Sequence, residues 1–293
     1  MQSSSHHPLA STDVICDTEF TRNFTALNVE ESQLVGLDEP KKNIMELIVK
    51  PREPMEHKGP RVVSLVGMGG LGKTALSKKV FDSKDLSDMF TTRAWITVSQ
   101  SFDEKEIFKE MVKQLFGVES LNKLLEDHQG QLVREVHLAD YISKRLQETR
   151  YLIVLDDVWT IDAWNLIKVT FQYSGKNDSC VVATTRNHTL AEYCISHPSH
   201  IHQPEFLGKE EARTLFLKKT KRSLDDLEKG DKTKGIVEKI LNKCGGLPLA
   251  ILTIGALLAN KDTEEWESIY KQLPSDLATN PSLDALRPCS LVL

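Results

Sequence analysis

Apolar residues along the chain follow two rhythms. In residues 61–66, 94–98, 151–155 and 180–184 they form short runs with few interruptions, as expected of strands covered on both faces. Between these runs they recur every three or four positions: Ile44, Leu47 and Ile48 within 40–49, Leu76 and Val80 within 73–81, and Ile107, Met111 and Leu115 within 103–116. Such spacings line one face of a helix, and Asp103 stands where it can cap the last of the three. A further helix is predicted over residues 132–148. Strands alternating with helices predict an α/β unit, a parallel sheet wrapped by helices.

The rhythm changes after about Phe206. Residues 209–219, 235–244, 247–259 and 264–273 all carry helical spacing, with Leu215, Phe216, Ile236, Ile240, Leu249, Leu252, Ile254 and Leu258 as their core. The expected organisation is a flexible polar tail (1–33), an α/β sheet unit (34–207), a small all-helical subdomain (208–274) and a short C-terminal tail (275–293). Residues 51–60, bracketed by prolines, read as a linker. The first 32 residues are rich in Ser, Thr and His and show no heptads, so no coiled coil is expected there.

Bulk properties narrow the function classes. A net charge of −5 does not suggest a nucleic-acid footprint. No apolar run approaches the ~18 residues of a membrane span; the longest, 247–259, is interrupted by Pro248 and Gly255. The N-terminus lacks a basic stretch followed by an apolar one, so no secretory signal is expected. Five cysteines without a C-x-x-C pair suit a reducing, cytoplasmic setting. Cys194, His197, His200 and His202 crowd together, but their spacing matches no common structural zinc pattern, and the segment reads as a polar loop before a strand.

The chemistry centres on Gly67-Met68-Gly69-Gly70-Leu71-Gly72-Lys73-Thr74, which satisfies the phosphate-binding pattern G-x-x-x-x-G-K-[ST] at every fixed position. It lies between the strand at 61–66 and the helix at 73–81, the context a P-loop NTPase requires. Glycines allow close approach of backbone to a polyphosphate, and the helix start offers unpaired N–H groups and a positive dipole end. Lys73 is expected at the β- and γ-phosphates, and the Thr74 hydroxyl on Mg²⁺. Asp156 and Asp157 close the apolar run at 151–155. The first is a candidate Mg²⁺ ligand, the second a candidate to orient or deprotonate an attacking water. Arg186, after Thr184 and Thr185, ends the next strand at the ligand edge of such a sheet and is suited to gripping a γ-phosphate.

The order of motifs resembles the NB-ARC domain of plant intracellular immune receptors, the coiled-coil, non-TIR class of disease-resistance proteins. The likeness rests on Val35-Gly36-Leu37-Asp38, the glycine loop, the segments 94–100, 152–159 and 183–186, and Cys244-Gly245-Gly246-Leu247-Pro248-Leu249-Ala250. It covers roughly residues 34–273, and Trp159 favours the coiled-coil class. It implies that the backbone of Val35 and Gly36 holds adenine, that Gly67, Gly69, Gly70, Leu71, Gly72, Lys73 and Thr74 surround the phosphates, that Arg186 senses a phosphate, and that Pro248 packs on the adenine. Ala75 replaces the Thr or Ser that contacts the α-phosphate in the family, a loss of about 1 kcal/mol. The winged-helix unit and leucine-rich repeats that follow in the family are not recognised, and residues 288–293 faintly resemble the start of the former.

Three functions are open at this point. The first is an ADP/ATP-binding switch module of plant-defence type, using Mg²⁺. Without the winged helix, it is expected to retain ADP less tightly than a full receptor. The second is a true ATPase with turnover. The third is a truncated interaction or decoy fragment whose protein partners dock on exposed apolar helix surface near Leu257 and Leu258.

Overall fold

The computed structural model describes residues 34–50, 59–101, 103–127, 134–171, 178–223 and 231–274. The expected tails at 1–33 and 275–293, and most of the linker at 51–60, lie outside these residues. Five parallel strands form one sheet: β1 (Arg61–Val66), β2 (Thr92–Thr97), β3 (Tyr151–Asp156), β4 (Cys180–Thr185) and β5 (Ile201–His202), in the spatial order β2-β3-β4-β1-β5. This is the P-loop architecture that the alternation predicts.

Side chains alternate across the sheet, and each face is covered by its own helices. Tyr151, Ile153 and Leu155 of β3 point to one side, with Ala94, Ile96, Val181 and Ala183. There they meet α4 (Glu104–Phe116), α5 (Val118–Glu126), α6 (Glu135–Leu146), α7 (Ile161–Lys168) and α8 (His188–Cys194). Leu152 and Val154 point to the other side with Val63, Leu65 and Val182, under α1 (Asp38–Val49), α2 (Lys73–Phe81) and α3 (Lys84–Met89). Burial on both faces is why β1, β3 and β4 read as continuous apolar runs. Each such buried Leu, Ile or Val contributes about 2 kcal/mol.

Asp103 caps α4 as its position predicts, its carboxylate accepting from the Lys105 and Glu106 amides. The open side of β2 is closed by Gln114 of α4. Its side-chain oxygen accepts from the Trp95 amide at 2.7 Å, and its side-chain nitrogen donates to the Trp95 carbonyl at 2.9 Å. Arg61, buried at the start of β1, donates to the carbonyls of Leu47 (2.7 Å) and Lys50 (2.5 Å), which satisfies the C-terminal end of α1.

The chain then enters α9 (Lys209–Thr220), α10 (Asp231–Cys244), α11 (Pro248–Leu258) and α12 (Thr263–Gln272). These helices share a core in which the Phe216 and Trp266 rings meet edge to face at 5.7 Å. Leu258 belongs to that core, as its helical spacing predicts, and is fully buried, so it is no part of the exposed surface expected near it; its neighbour Leu257 does face solvent. Among the described residues no cluster of three or more His, Cys, Asp and Glu side chains is arranged to hold a metal ion. The segment from Cys194 to His202 forms the end of α8, a 3-10 turn at Pro198–His200 and β5.

Candidate nucleotide site

β1 delivers the chain into the glycine loop, and α2 starts at Lys73, with Gly72 as its N-cap. Both limits match the sequence reading, because the apolar run and the helix spacing flank the loop directly. The Gly67 amide donates to the Thr185 carbonyl at 3.3 Å, tying the loop entrance to the end of β4. Lys73 is buried. Its ammonium donates to the carbonyls of Gly67 (2.7 Å) and Met68 (3.0 Å), so it lies folded over the loop. Burial pushes its pKa down to about 8, Arg186 adds to the fall, and Asp157 and Asp156 pull the other way. An ammonium held against two carbonyls and short of counter-charge is poised for an anion.

Asp156 lies on β3, separated from β1 by β4. Thr184 of β4 spans that gap. Its hydroxyl donates to Asp156 Oδ1 at 2.7 Å and accepts from the Asp157 amide at 2.8 Å. The Thr74 hydroxyl donates to the same Oδ1 at 3.1 Å. Asp156 Oδ2 is buried without a hydrogen-bond partner among the described residues. Burial drives the Asp156 carboxyl up to about 6, against the bonds from Thr184 and Thr74. A buried carboxylate with one orphaned oxygen beside a hydroxyl is the oxygen-donor set a Mg²⁺ ion accepts, and these residues fit it.

Asp157 sits at a φ of 60°, a left-handed conformation that costs a non-glycine residue roughly 1 kcal/mol. The Asp157 amide bond to the Thr184 hydroxyl and a second bond, from the Val158 amide to the Thr184 carbonyl at 2.8 Å, hold it there. The carboxylate faces Arg186, with 3.7 Å between Oδ1 and Nε. The Arg186 guanidinium carbon lies 4.9 Å from the centre of the Trp159 ring. A Cβ on Gly69 would stand 3.3 Å from Arg186 Nη1, so this guanidinium overhangs the loop.

The helical subdomain touches the loop directly. The Leu249 amide donates to the Gly70 carbonyl at 3.2 Å, and Leu71 is buried in the helical core. Gly70 has a φ of 85°, and a Cβ there would lie 2.7 Å from that of Leu249, so both backbone and contact demand glycine. Gly36 lies against Leu207 and Glu211, Val35 packs on the helical core, and Pro248 opens α11. Ala75 is half-buried in the first turn of α2. The loop residues, Asp156, Asp157 and Arg186 therefore converge, while Val35, Gly36 and Pro248 line the seam with the helices. Sequence reasoning assigned no role to Thr184. Its place in a Thr-Thr-Arg strand end was the one available signal.

Asp156→Asn offers a test of the carboxylate. Its folded pKa stands above its ordinary value of 3.8. The native state therefore binds the extra proton, and apo stability falls as pH rises from about 4 to about 6. Above that window the buried charge is a standing cost. At pH 7.5 the Asn variant is expected to melt higher than the parent without ligand and to lose the additional stabilisation that Mg²⁺ gives with nucleotide. Thermal melts with and without Mg²⁺ decide it; an undiminished Mg²⁺ effect would remove Asp156 from the metal site.

Comparison with known proteins bears on this arrangement. The NB-ARC domain model matches residues 41–226, well over half the chain. Disease resistance protein RPM1 of Arabidopsis thaliana is 32% identical over 274 residues, covering 92% of this chain and 29% of that protein. Disease resistance protein RPP13 of the same plant is 32% identical over 248 residues, covering 83% of this chain and 28% of that protein. The chain thus spans under a third of the length of these relatives. Among solved structures, Cdc6p from Pyrobaculum aerophilum shares the fold, with a TM-score of 0.53 at 14% identity, covering 86% of this chain and 67% of that one.

Proposed function

The chain belongs to the NB-ARC domain family, and from that premise we propose that it is an adenine-nucleotide switch module of a plant disease-resistance protein. One observation carries the reading: the phosphate loop and the helical subdomain are joined by the Leu249–Gly70 backbone bond and by the burial of Leu71. Whatever settles against the loop backbone also bears on the attachment of the helices. A ligand with unequal affinity for two attachments shifts the balance between them.

In this reading the loop amides and Lys73 hold the phosphates, the Val35 and Gly36 backbone and Pro248 enclose the adenine, and Arg186 answers to a third phosphate. Mg²⁺, held by Thr74 and Asp156, would neutralise charge between the outer phosphates. ADP favours the closed attachment and ATP the open one. In this reading Asp157, 3.7 Å from Arg186, would orient an attacking water, and hydrolysis is expected to be slow at most. Leu257, exposed on α11, is the expected centre of a protein-partner surface. The buried thiols of Cys194 and Cys244 suit a cytoplasmic setting. Among the described residues no helix is long and apolar enough to cross a membrane.

Calorimetry with ADP and ATP, each with and without Mg²⁺, tests the proposal. Saturable binding of both, strengthened by Mg²⁺, is expected. No detectable affinity for either would remove it.

A further inference from the structure

Among the described residues, the long side chain that overhangs the loop without a firm bond of its own is Arg186. It is half exposed, and its carboxylate partner stands at 3.7 Å, beyond direct hydrogen-bond length. An exposed pair at that distance does little to fix a flexible arginine. What confines it instead is the Trp159 ring, 4.9 Å from the guanidinium carbon, together with Gly69 of the loop, where an added Cβ would stand 3.3 Å from Nη1. Attraction to the face of an aromatic ring uses the charge of the guanidinium and leaves its N–H fork available.

The local backbone accounts for the pairing. Thr184 binds both Asp157 and Val158, through its hydroxyl and its carbonyl, so the turn after β3 runs alongside the end of β4. Trp159 is the next residue on one strand exit and Arg186 is two residues on along the other. The left-handed Asp157 provides the sharp bend that brings them abreast.

From this geometry we infer that Trp159 is a positioning residue for Arg186 and that it sets how strongly the site distinguishes a nucleoside triphosphate from a diphosphate. The inference rests on the phosphate-sensing role of Arg186 proposed above. A guanidinium already held over the loop gives up less freedom when it grips a terminal phosphate. A diphosphate does not reach it, so the ring affects only the triphosphate. Trp159 itself need touch neither nucleotide.

The test measures MgADP and MgATP affinities of the full chain by calorimetry for Trp159→Leu, Trp159→Phe, Arg186→Ala and the double variant that joins Trp159→Leu to Arg186→Ala. Leu preserves apolar bulk without a ring face. Trp159→Leu is expected to weaken MgATP about three-fold, the scale of a part-exposed cation–π contact, and to leave MgADP unchanged. The unchanged MgADP affinity also reports an intact fold. Trp159→Phe is expected to keep most of the preference, and Trp159→Leu should add nothing once Arg186 is replaced by Ala. Equal weakening of both nucleotides, or an additive loss in the double variant, would overturn the positioning role. If Arg186→Ala weakens MgATP while Trp159→Leu does not, only the present inference fails. If Arg186→Ala leaves MgATP untouched, the sensing role falls and this inference with it. Should Trp159→Leu not fold, tryptophan emission of the parent decides. MgATP is expected to change it more than MgADP, the difference vanishing in Trp159→Phe, and equal changes in the parent would count against the ring.

Discussion

Lys73→Ala is expected to weaken both ADP and ATP binding about 100-fold or more, the loss of one or two charge-assisted hydrogen bonds at a buried site. The fold should survive. Among the described residues the ammonium bonds only to the Gly67 and Met68 carbonyls, and burial has already pushed its pKa down to about 8. Holding it charged is therefore a cost to the apo protein. Between pH 8 and the unfolded value of 10.5 the unfolded chain binds more protons, so this residue's contribution to stability rises with pH across that window. The Ala variant should accordingly melt no lower than the parent at pH 7. A linked effect follows for the parent itself. Above pH 8 nucleotide binding should take up protons as Lys73 recharges, visible as a dependence of the calorimetric heat on buffer ionisation. Affinity of the Ala variant within a few-fold of the parent would show that the loop does not work through this ammonium.

Gly246→Ala is expected to be the most damaging small change outside the loop, lowering stability by about 3 kcal/mol, the sum of backbone strain and overpacking. Gly246 has a φ of 75°, where an L-residue is strained, and a Cβ there would lie 2.5 Å from the Leu207 carbonyl oxygen. That oxygen belongs to the backbone and cannot rotate away, and the Leu207 amide is itself bonded to the Gly246 carbonyl at 2.9 Å. Strain of ~1–2 kcal/mol from the left-handed conformation and about 1–3 kcal/mol from overpacking give the estimate. The expected signature is a lower melting temperature together with earlier proteolytic cleavage between the sheet unit and α9. Gly235→Ala is the control. Gly235 lies in α10 with nothing within 4 Å of an added Cβ, and the change should stabilise by about 0.5–1 kcal/mol. If Gly246→Ala melts like the parent, the close packing of this turn against Leu207 does not contribute to stability.

Long, strongly patterned elements could be read from residues alone, and short ones could not. Residues 61–66 and 73–81 have the predicted limits because a doubly buried strand and an amphipathic helix meet the loop without spacer. β2 begins at Thr92 rather than at 94, since edge position lets Thr92 and Arg93 remain polar and partly exposed. α7 and α8 have only 8 and 7 residues, too few for a period to accumulate, and the spacing of apolar positions does not reveal them. Their caps are nevertheless visible: the Thr160 side chain accepts from the Ala163 amide, and that of Asn187 from the Leu190 amide. At the site, residues within one motif could be assembled from spacing. Contacts between motifs could not. Thr184 meets Asp156, and Trp159 meets Arg186, because β3 and β4 are neighbours in a particular register. Likewise, Leu249 reaches Gly70 through the docking of a helix almost 180 positions away, which no local pattern encodes.

The Gln114 amide, clasping both main-chain groups of Trp95, has a bearing on the molecule's behaviour in concentrated solution. A flanking strand whose outward donors and acceptors stay vacant is a template on which another polypeptide can lengthen the sheet. Occupying that position from a neighbouring helix blocks such recruitment at the middle of β2.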